Sequence, residues 1–316
     1  MASPKVPSRF PFEYPKGWFQ ILWSDELSPL QAVTRSRFGR ELIVWRDNDG
    51  RPVVNDAFCP HLGAHLGVGG VVTPSGLRCP FHGWTFNSDG ILSEVPYTTR
   101  EIRKEMLQTM PCAEDNGHIL VWNGPPGQEP EWSVPHVEEF GSESWGEYFT
   151  RSEVVIKSCC QELSENITDI NHVPILHQLS HIESMSVDSS GPNRTIRITE
   201  AVTTPLGINH TDATIECLGL GYMVVRFASA VEICSISSVT PVDLTTVQVN
   251  FSWLIKREKG RPRLRRVGQA IADETLRILR EDATIWENKA YLERPLLLPE
   301  DAHIRQFRAW AKQFYY

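Results

Sequence analysis

The chain has 316 residues, 41% of them hydrophobic and 22% charged, with 31 Lys and Arg against 39 Asp and Glu for a formal charge of −8. That composition excludes a disordered, collagen-like, coiled-coil or low-complexity chain and, at about 150 residues per domain, predicts two domains. The acidic balance argues against nucleic acid as the main partner, because phosphate binding needs a basic footprint.

Residues 1–16 are rich in proline and read as an N-terminal arm without the apolar run of a signal peptide. No stretch approaches about 18 consecutive apolar residues, so no membrane-spanning helix is expected, and the expected location is cytoplasmic. Residues 17–125 read as an all-β domain of short strands and tight turns. Leu42–Trp45 is a predicted strand, Asp47–Gly50 a hairpin turn leading to Val53 and Val54, and Asn87–Gly90 a second turn. His118–Trp122 is a further strand. Residues 123–135 hold four prolines and two glycines and read as a linker.

Residues 126–316 read as a second, α+β domain. The pattern predicts a helix over 159–172, a serine-rich loop over 180–193, and strands over 194–203, 208–218, 221–230 and 232–256. A long helix is predicted over 266–292, where Ala272, Leu276, Leu279, Ala283, Trp286 and Ala290 recur at steps of three and four. The runs over 208–256 are suited to line an apolar cavity facing that helix.

Seven cysteines are too few and too odd in number for a disulfide scaffold in a chain of this size. Two of them sit in Cys59-Pro60-His61 and Cys79-Pro80-Phe81-His82, each turn offering one thiolate and one imidazole. A zinc finger pairs Cys with Cys and His with His. Mixed pairs suit a [2Fe–2S] cluster with two Cys on one iron and two His on the other, the Rieske arrangement. Neutral imidazoles leave less negative charge on such a cluster and raise its potential. Gly63, Gly67, Gly69 and Gly70 permit sharp turns beside it, and Phe81 and Trp84 are placed to shield it. His65 has no ligand role in this reading. A structural zinc site is the alternative, which acid-labile sulfide would exclude.

A second group follows the linker. Asn166, Asp169 and His172 step by three along the predicted helix, and Pro174 would disturb that helix and let His177 turn back beside His172. Two imidazoles and a carboxylate on one face of iron form the non-haem Fe(II) triad, with positions left open for O₂. The carboxylate is Asp169 itself or an acid from elsewhere, with Asp282 as the candidate because it borders the buried stripe of the long helix. Glu281 is better placed for an exposed pair with Arg277. With Asp282 as ligand, Asp169 is free to orient His172.

Together the two groups resemble the Rieske non-haem iron oxygenases, specifically their terminal oxygenase subunits, over nearly the whole chain from about Trp18. The stretches Cys59–Gly70 and Asp282–Lys289 are similar to the 3-ketosteroid 9α-hydroxylase branch, which itself resembles the sterol 7-desaturases. The resemblance implies an all-β Rieske domain and a helix-grip (START-like) catalytic domain with an antiparallel sheet and a long C-terminal helix. It implies cluster ligands Cys59, His61, Cys79 and His82, and iron ligands His172, His177 and Asp282. Asp169 and Asn166 are then the catalytic side chains beside the iron, with Asp169 bridging a cluster histidine to an iron histidine across a subunit boundary. A head-to-tail homotrimer is implied. So is a separate NAD(P)H-dependent reductase or ferredoxin, since the chain has no Gly-x-Gly-x-x-Gly fingerprint. The reaction the resemblance implies is hydroxylation of an apolar polycyclic substrate, a steroid, with desaturation and oxidative demethylation as alternatives because all begin with the same activated iron. A rival of another class is a Rieske electron carrier with a lipid-binding domain. Relative to the steroid hydroxylases, the chain looks trimmed in its catalytic domain.

Overall fold

Both predicted turns form, and by one device. Asp47 Oδ1 accepts the backbone N–H of Asp49 and Arg51 at 3.0 and 2.9 Å, and Asn87 Oδ1 accepts those of Asp89 and Ile91 at 3.1 and 2.8 Å. Each turn ends on a glycine in the left-handed region, Gly50 at φ +79° and Gly90 at φ +75°, which a side chain would strain. The computed structural model describes residues 9–100, 106–178, 182–204, 207–228, 231–257 and 264–316. The first eight residues of the proline-rich arm therefore lie outside the described residues, as do 180–181 of the predicted loop and 229–230 of the third predicted strand.

The chain forms two compact units, Trp18–His136 and the remainder, residues 1–17 with 137–316. The first is built from β1 (Gly17–Trp23), β2 (Ala32–Arg37), β3 (Arg40–Arg46), β4 (Pro52–Asp56), β5 (Val71–Thr73), β6 (Gly76–Arg78), β7 (Thr85–Phe86), β8 (Leu92–Glu94), β9 (Thr109–Met110), β10 (Cys112–Asp115) and β11 (His118–Asn123). They make three small sheets, ordered β1-β11-β10, β2-β3-β4-β9 and β5-β6-β7-β8. Ile43, Trp45, Leu66, Leu77 and Phe86 share one core with Cys59 and Cys79. Each such large apolar side chain contributes about 1.5–3 kcal/mol on burial, so the loops carrying the two cysteines are anchored from below.

The second unit has one seven-stranded antiparallel sheet. Its strands are β12 (Thr150–Ile156), β13 (Ile182–Ser190), β14 (Asn193–Thr204), β15 (Gly207–Leu218), β16 (Tyr222–Ala228), β17 (Glu232–Asp243) and β18 (Thr246–Ile255), in the order β12-β18-β17-β16-β15-β14-β13. Helices α1 (Cys160–Asn166) and α2 (Val173–Leu176) fall between β12 and β13, and α3 (Leu264–Trp286) and α4 (Ala302–Ala311) follow the sheet. Ala272, Leu279 and Trp286 form the buried stripe of α3. The close approach of this helix to the sheet falls at Gly268, where a Cβ would stand 2.9 Å from Ile255 and 3.0 Å from Phe149.

Four local expectations differ from the structure. The helix predicted over 159–172 ends at Asn166. Asp169 turns the chain instead, with Oδ1 accepting the N–H of Asn171 at 3.2 Å, the competition that short polar side chains offer a helix. Pro174 then sits in the first turn of the separate α2, which begins at Val173. The serine-rich loop is largely strand β13, which among the described residues is an edge strand beside β14 and so needs little apolar content. The run 232–256 is a hairpin, turned where Asp243 Oδ1 accepts the N–H of Thr245 at 2.7 Å. Helix α3 stops at Trp286, short of Ala290. There Arg9 donates to the carbonyls of Trp286 and Glu287, capping the helix end from a segment remote in sequence.

Candidate metal centres

The two Cys-His loops are versions of one turn. In each, the N–H of a glycine four residues on donates to the cysteine carbonyl, Gly63 to Cys59 at 2.9 Å and Gly83 to Cys79 at 3.1 Å. Both glycines are left-handed, at φ +74° and +73°. The loops meet so that Cys79 lies close enough to help burial raise the Cys59 thiol, and the rings of His61 and His82 are 4.7 Å apart. Burial pushes the Cys59 thiol up to about 11, so a thiolate there needs a metal beside it. His82 Nδ1 is buried without a hydrogen-bond partner among the described residues, which suits a metal ligand. A pair of thiols and a pair of imidazoles carried by two neighbouring loops fit a [2Fe–2S] centre with two donors to each iron. Trp84 stacks flat on His61 at 4.2 Å and donates to Tyr97 Oη at 2.7 Å. Phe81 covers His82 at 3.8 Å while remaining exposed itself. His65 stands aside: its Nδ1 accepts the N–H of Gly67 at 3.1 Å.

In the second unit, His172, His177 and Asp282 come together, each offering one donor atom within 4.8 Å of the others. His172 precedes α2 and His177 ends it, while Asp282 comes from α3. Asn166, Asp169 and His172 thus do not share a helix. Asn166 closes α1, Asp169 lies in the turn, and His172 sits at the N-cap of α2. His177 Nε2 is 3.1 Å from Asp282 Oδ1, yet it makes no aligned hydrogen bond. His172 Nε2 is 3.6 Å from the same oxygen. Burial raises Asp282 above the ordinary carboxylate range, against the pull of both imidazoles. A cation reverses that balance, and two imidazoles with one carboxylate are the donor set of a non-haem iron.

The surrounding contacts divide the supporting roles. Asn166 Nδ2 donates to Asp282 Oδ2 at 3.1 Å. Asp169 Oδ2 stands 3.6 Å from His172 Nδ1. Burial alone would lower the His172 pKa, but Asp169 and Asp282 outweigh it and raise it. Glu281 does form the pair with Arg277 that its spacing suggests. Its other oxygen accepts from His177 Nδ1 at 2.8 Å, a contact the sequence reading missed. The only signal for it was adjacency to Asp282, because the position of His177 depends on the break before α2.

A cavity of ≈ 200 Å³ opens between α1, the sheet and α3, with Asp282 and Asn166 on its wall. The rest of the lining is mainly apolar, including Leu163, Met223, Val249, Phe251, Ile278 and Trp286. Its sheet residues fall within 208–256, facing the long helix as expected.

Residues 17–111 match the Rieske [2Fe-2S] domain family, and residues 121–315 match the 3-ketosteroid 9alpha-hydroxylase C-terminal domain family. The cholesterol 7-desaturase nvd of Xenopus laevis is 32% identical over 98% of this chain and 74% of its own. A protein of Rhodococcus rhodochrous described as a probable 3-ketosteroid-9-alpha-monooxygenase, oxygenase component, is 29% identical over 96% of this chain and 81% of its own. The crystal structure of dicamba monooxygenase bound to dicamba superposes with a TM-score of 0.74 over 94% of this chain and 96% of that one. At 16% identity, that likeness shows the fold alone.

Proposed function

We propose that this chain, which belongs to the Rieske-type oxygenases with a 3-ketosteroid 9α-hydroxylase C-terminal domain, is the terminal component of a monooxygenase that hydroxylates a steroid-like substrate. The observation that carries this reading is the apolar cavity with Asp282 on its wall: a rigid hydrocarbon seated there lies beside the His172–His177–Asp282 group. When bound, the cluster supplies single electrons and the iron supplies O₂ activation. Cys59, His61, Cys79 and His82 hold the cluster, and His172, His177 and Asp282 hold the iron.

The chain's own residues set the geometry. Glu281 accepts from His177 Nδ1 and so turns Nε2 toward Asp282. Asn166 holds the outer oxygen of Asp282, leaving the inner one for the metal. The apolar walls exclude water and orient the substrate. A separate NAD(P)H-dependent reductase or ferredoxin supplies the electrons. We further place electron transfer between copies in a head-to-tail trimer, with Asp169 linking the two centres; sedimentation of the loaded protein checks the assembly.

Desaturation is the second reading, favoured by the 32% identity to a cholesterol 7-desaturase. Turnover under ¹⁸O₂ with a reductase and a steroid panel separates the two. Hydroxylation puts one labelled atom into the product, whereas desaturation leaves the product unlabelled and two hydrogens lighter. A panel with no oxidised product overturns both readings.

A further inference from the structure

Ser237 lies in the middle of β17, flanked across the sheet by Met223 of β16 and Phe251 of β18. All three border the cavity. Ser237 is only 2% exposed, and its hydroxyl is buried with no hydrogen-bond partner among the described residues. Other polar side chains on the same wall are committed. Ser164 Oγ donates to the Leu220 carbonyl at 3.3 Å, Thr275 Oγ1 to that of Ile271 at 3.1 Å, and Asn166 Nδ2 to Asp282 at 3.1 Å. An unmatched buried hydroxyl is a standing cost that alanine would remove. A serine also has several staggered rotamers, and this hydroxyl breaks no bond in turning to meet a ligand.

We infer that Ser237 is a specificity-determining residue whose hydroxyl hydrogen-bonds the oxygen of a steroid-like substrate, either a hydroxyl or a ketone. Serine can donate to a ketone and can donate to or accept from a hydroxyl, so the chemistry covers both. The surrounding lining holds the hydrocarbon, and this one bond fixes which way round it enters. Sites built to bond a substrate oxygen discriminate strongly against analogues that lack it.

The inference rests on the proposed function, and the test separates the two. Calorimetry on the full chain, without turnover, measures binding of a hydroxysteroid, the matching ketosteroid and the parent hydrocarbon, each delivered from cyclodextrin. Ser237→Ala is expected to weaken the hydroxysteroid, the ketosteroid or both about tenfold and to leave the hydrocarbon unchanged. Its unfolding temperature without ligand should equal that of the wild type or exceed it, which a structural serine would not allow. Ser237→Cys keeps the side-chain shape with a larger atom, loses the strong hydroxyl donor and should reproduce the loss, with the hydrocarbon as the steric control, if the alanine variant folds poorly. Loss for one oxygen type alone identifies which is recognised. Unchanged binding of both oxygenated steroids in the variants overturns the inference while leaving the proposed function standing. Failure of all three steroids to bind the wild type overturns the proposed function and the inference with it.

Discussion

In the first unit, Cys59 and His61 stand two residues apart, and Cys79 and His82 three. In the second, His177 meets Glu281 across 104 residues of sequence, and Asp282 reaches both histidines from α3. The cluster loops are local turns set on a core that includes their own cysteines. The His-His-Asp group exists only because α3 lies where it does against the sheet. A centre of the first kind tolerates change elsewhere in the fold, whereas one of the second kind depends on helix placement. The carboxylates differ in the same way. The cluster loops use none, while the second centre has Asp282 buried at 5% exposure, supported by Asn166 and flanked by Asp169 and Glu281.

The largest expected effects come from a mirrored pair. Asp282→Ala should abolish the mononuclear iron and lower turnover by more than about a hundredfold, with acid-labile sulfide and the visible cluster spectrum retained. Cys59→Ser should do the reverse, losing sulfide and colour while keeping the single iron. If either variant loses both metals, the two centres are not independent and the comparison breaks. Next is Glu281→Gln, which weakens the hold on His177 Nδ1. We expect a roughly ten- to hundredfold loss of iron affinity, read by chelator competition, and no change in cluster content.

Backbone strain gives a smaller effect inside the cluster loops. Gly63→Ala meets no atom within 4 Å, whereas the Cβ of Gly83→Ala would stand 2.8 Å from Pro96. The first should cost about 1–2 kcal/mol for the left-handed backbone alone, and the second more, by thermal or urea unfolding of the whole chain. Equal losses would show that the backbone conformation, not the contact, limits both loops.

The smallest effect is electrostatic. Arg46 makes two hydrogen bonds of 2.8 Å to Glu114 and, despite partial burial, holds its carboxyl below the ordinary range. A carboxylate depressed in the folded state stabilises above its unfolded pKa, and that contribution fades as pH falls through the folded value. Glu114→Gln should therefore lower the urea midpoint at neutral pH and flatten its decline on acidification. An unaltered acid limb would show that other carboxylates dominate it.

The cluster loops were legible from sequence because their chemistry is written in consecutive residues: a thiol, an imidazole and a glycine at fixed offsets. The turns at Asp47 and Asn87 were legible for the same reason. The helix around residue 166 was not read to its correct end, because Asp169 and Asn171 compete locally with helical hydrogen bonds and periodicity does not register that competition. Strand β13 was missed because an edge strand buries little. For Glu281 the sequence shows only the i,i+4 pair with Arg277, its neighbour on the helix, and not the contact with His177.

The sequence by itself determined the donor types: two Cys-His turns, a histidine pair around Pro174, and an acid bordering the stripe of a long helix. It determined them because ligand chemistry and short-range turn geometry depend on neighbouring residues. Only the tertiary structure decided that Asp282 lies within reach of both histidines while Asp169 faces the far side of His172. It also decided that Glu281 grips His177, and that Ser237 borders an apolar cavity with its hydroxyl unmatched. Those facts depend on the packing of α1 and α3 over the sheet, which is fixed by burial summed over the whole unit and not by any local run of residues.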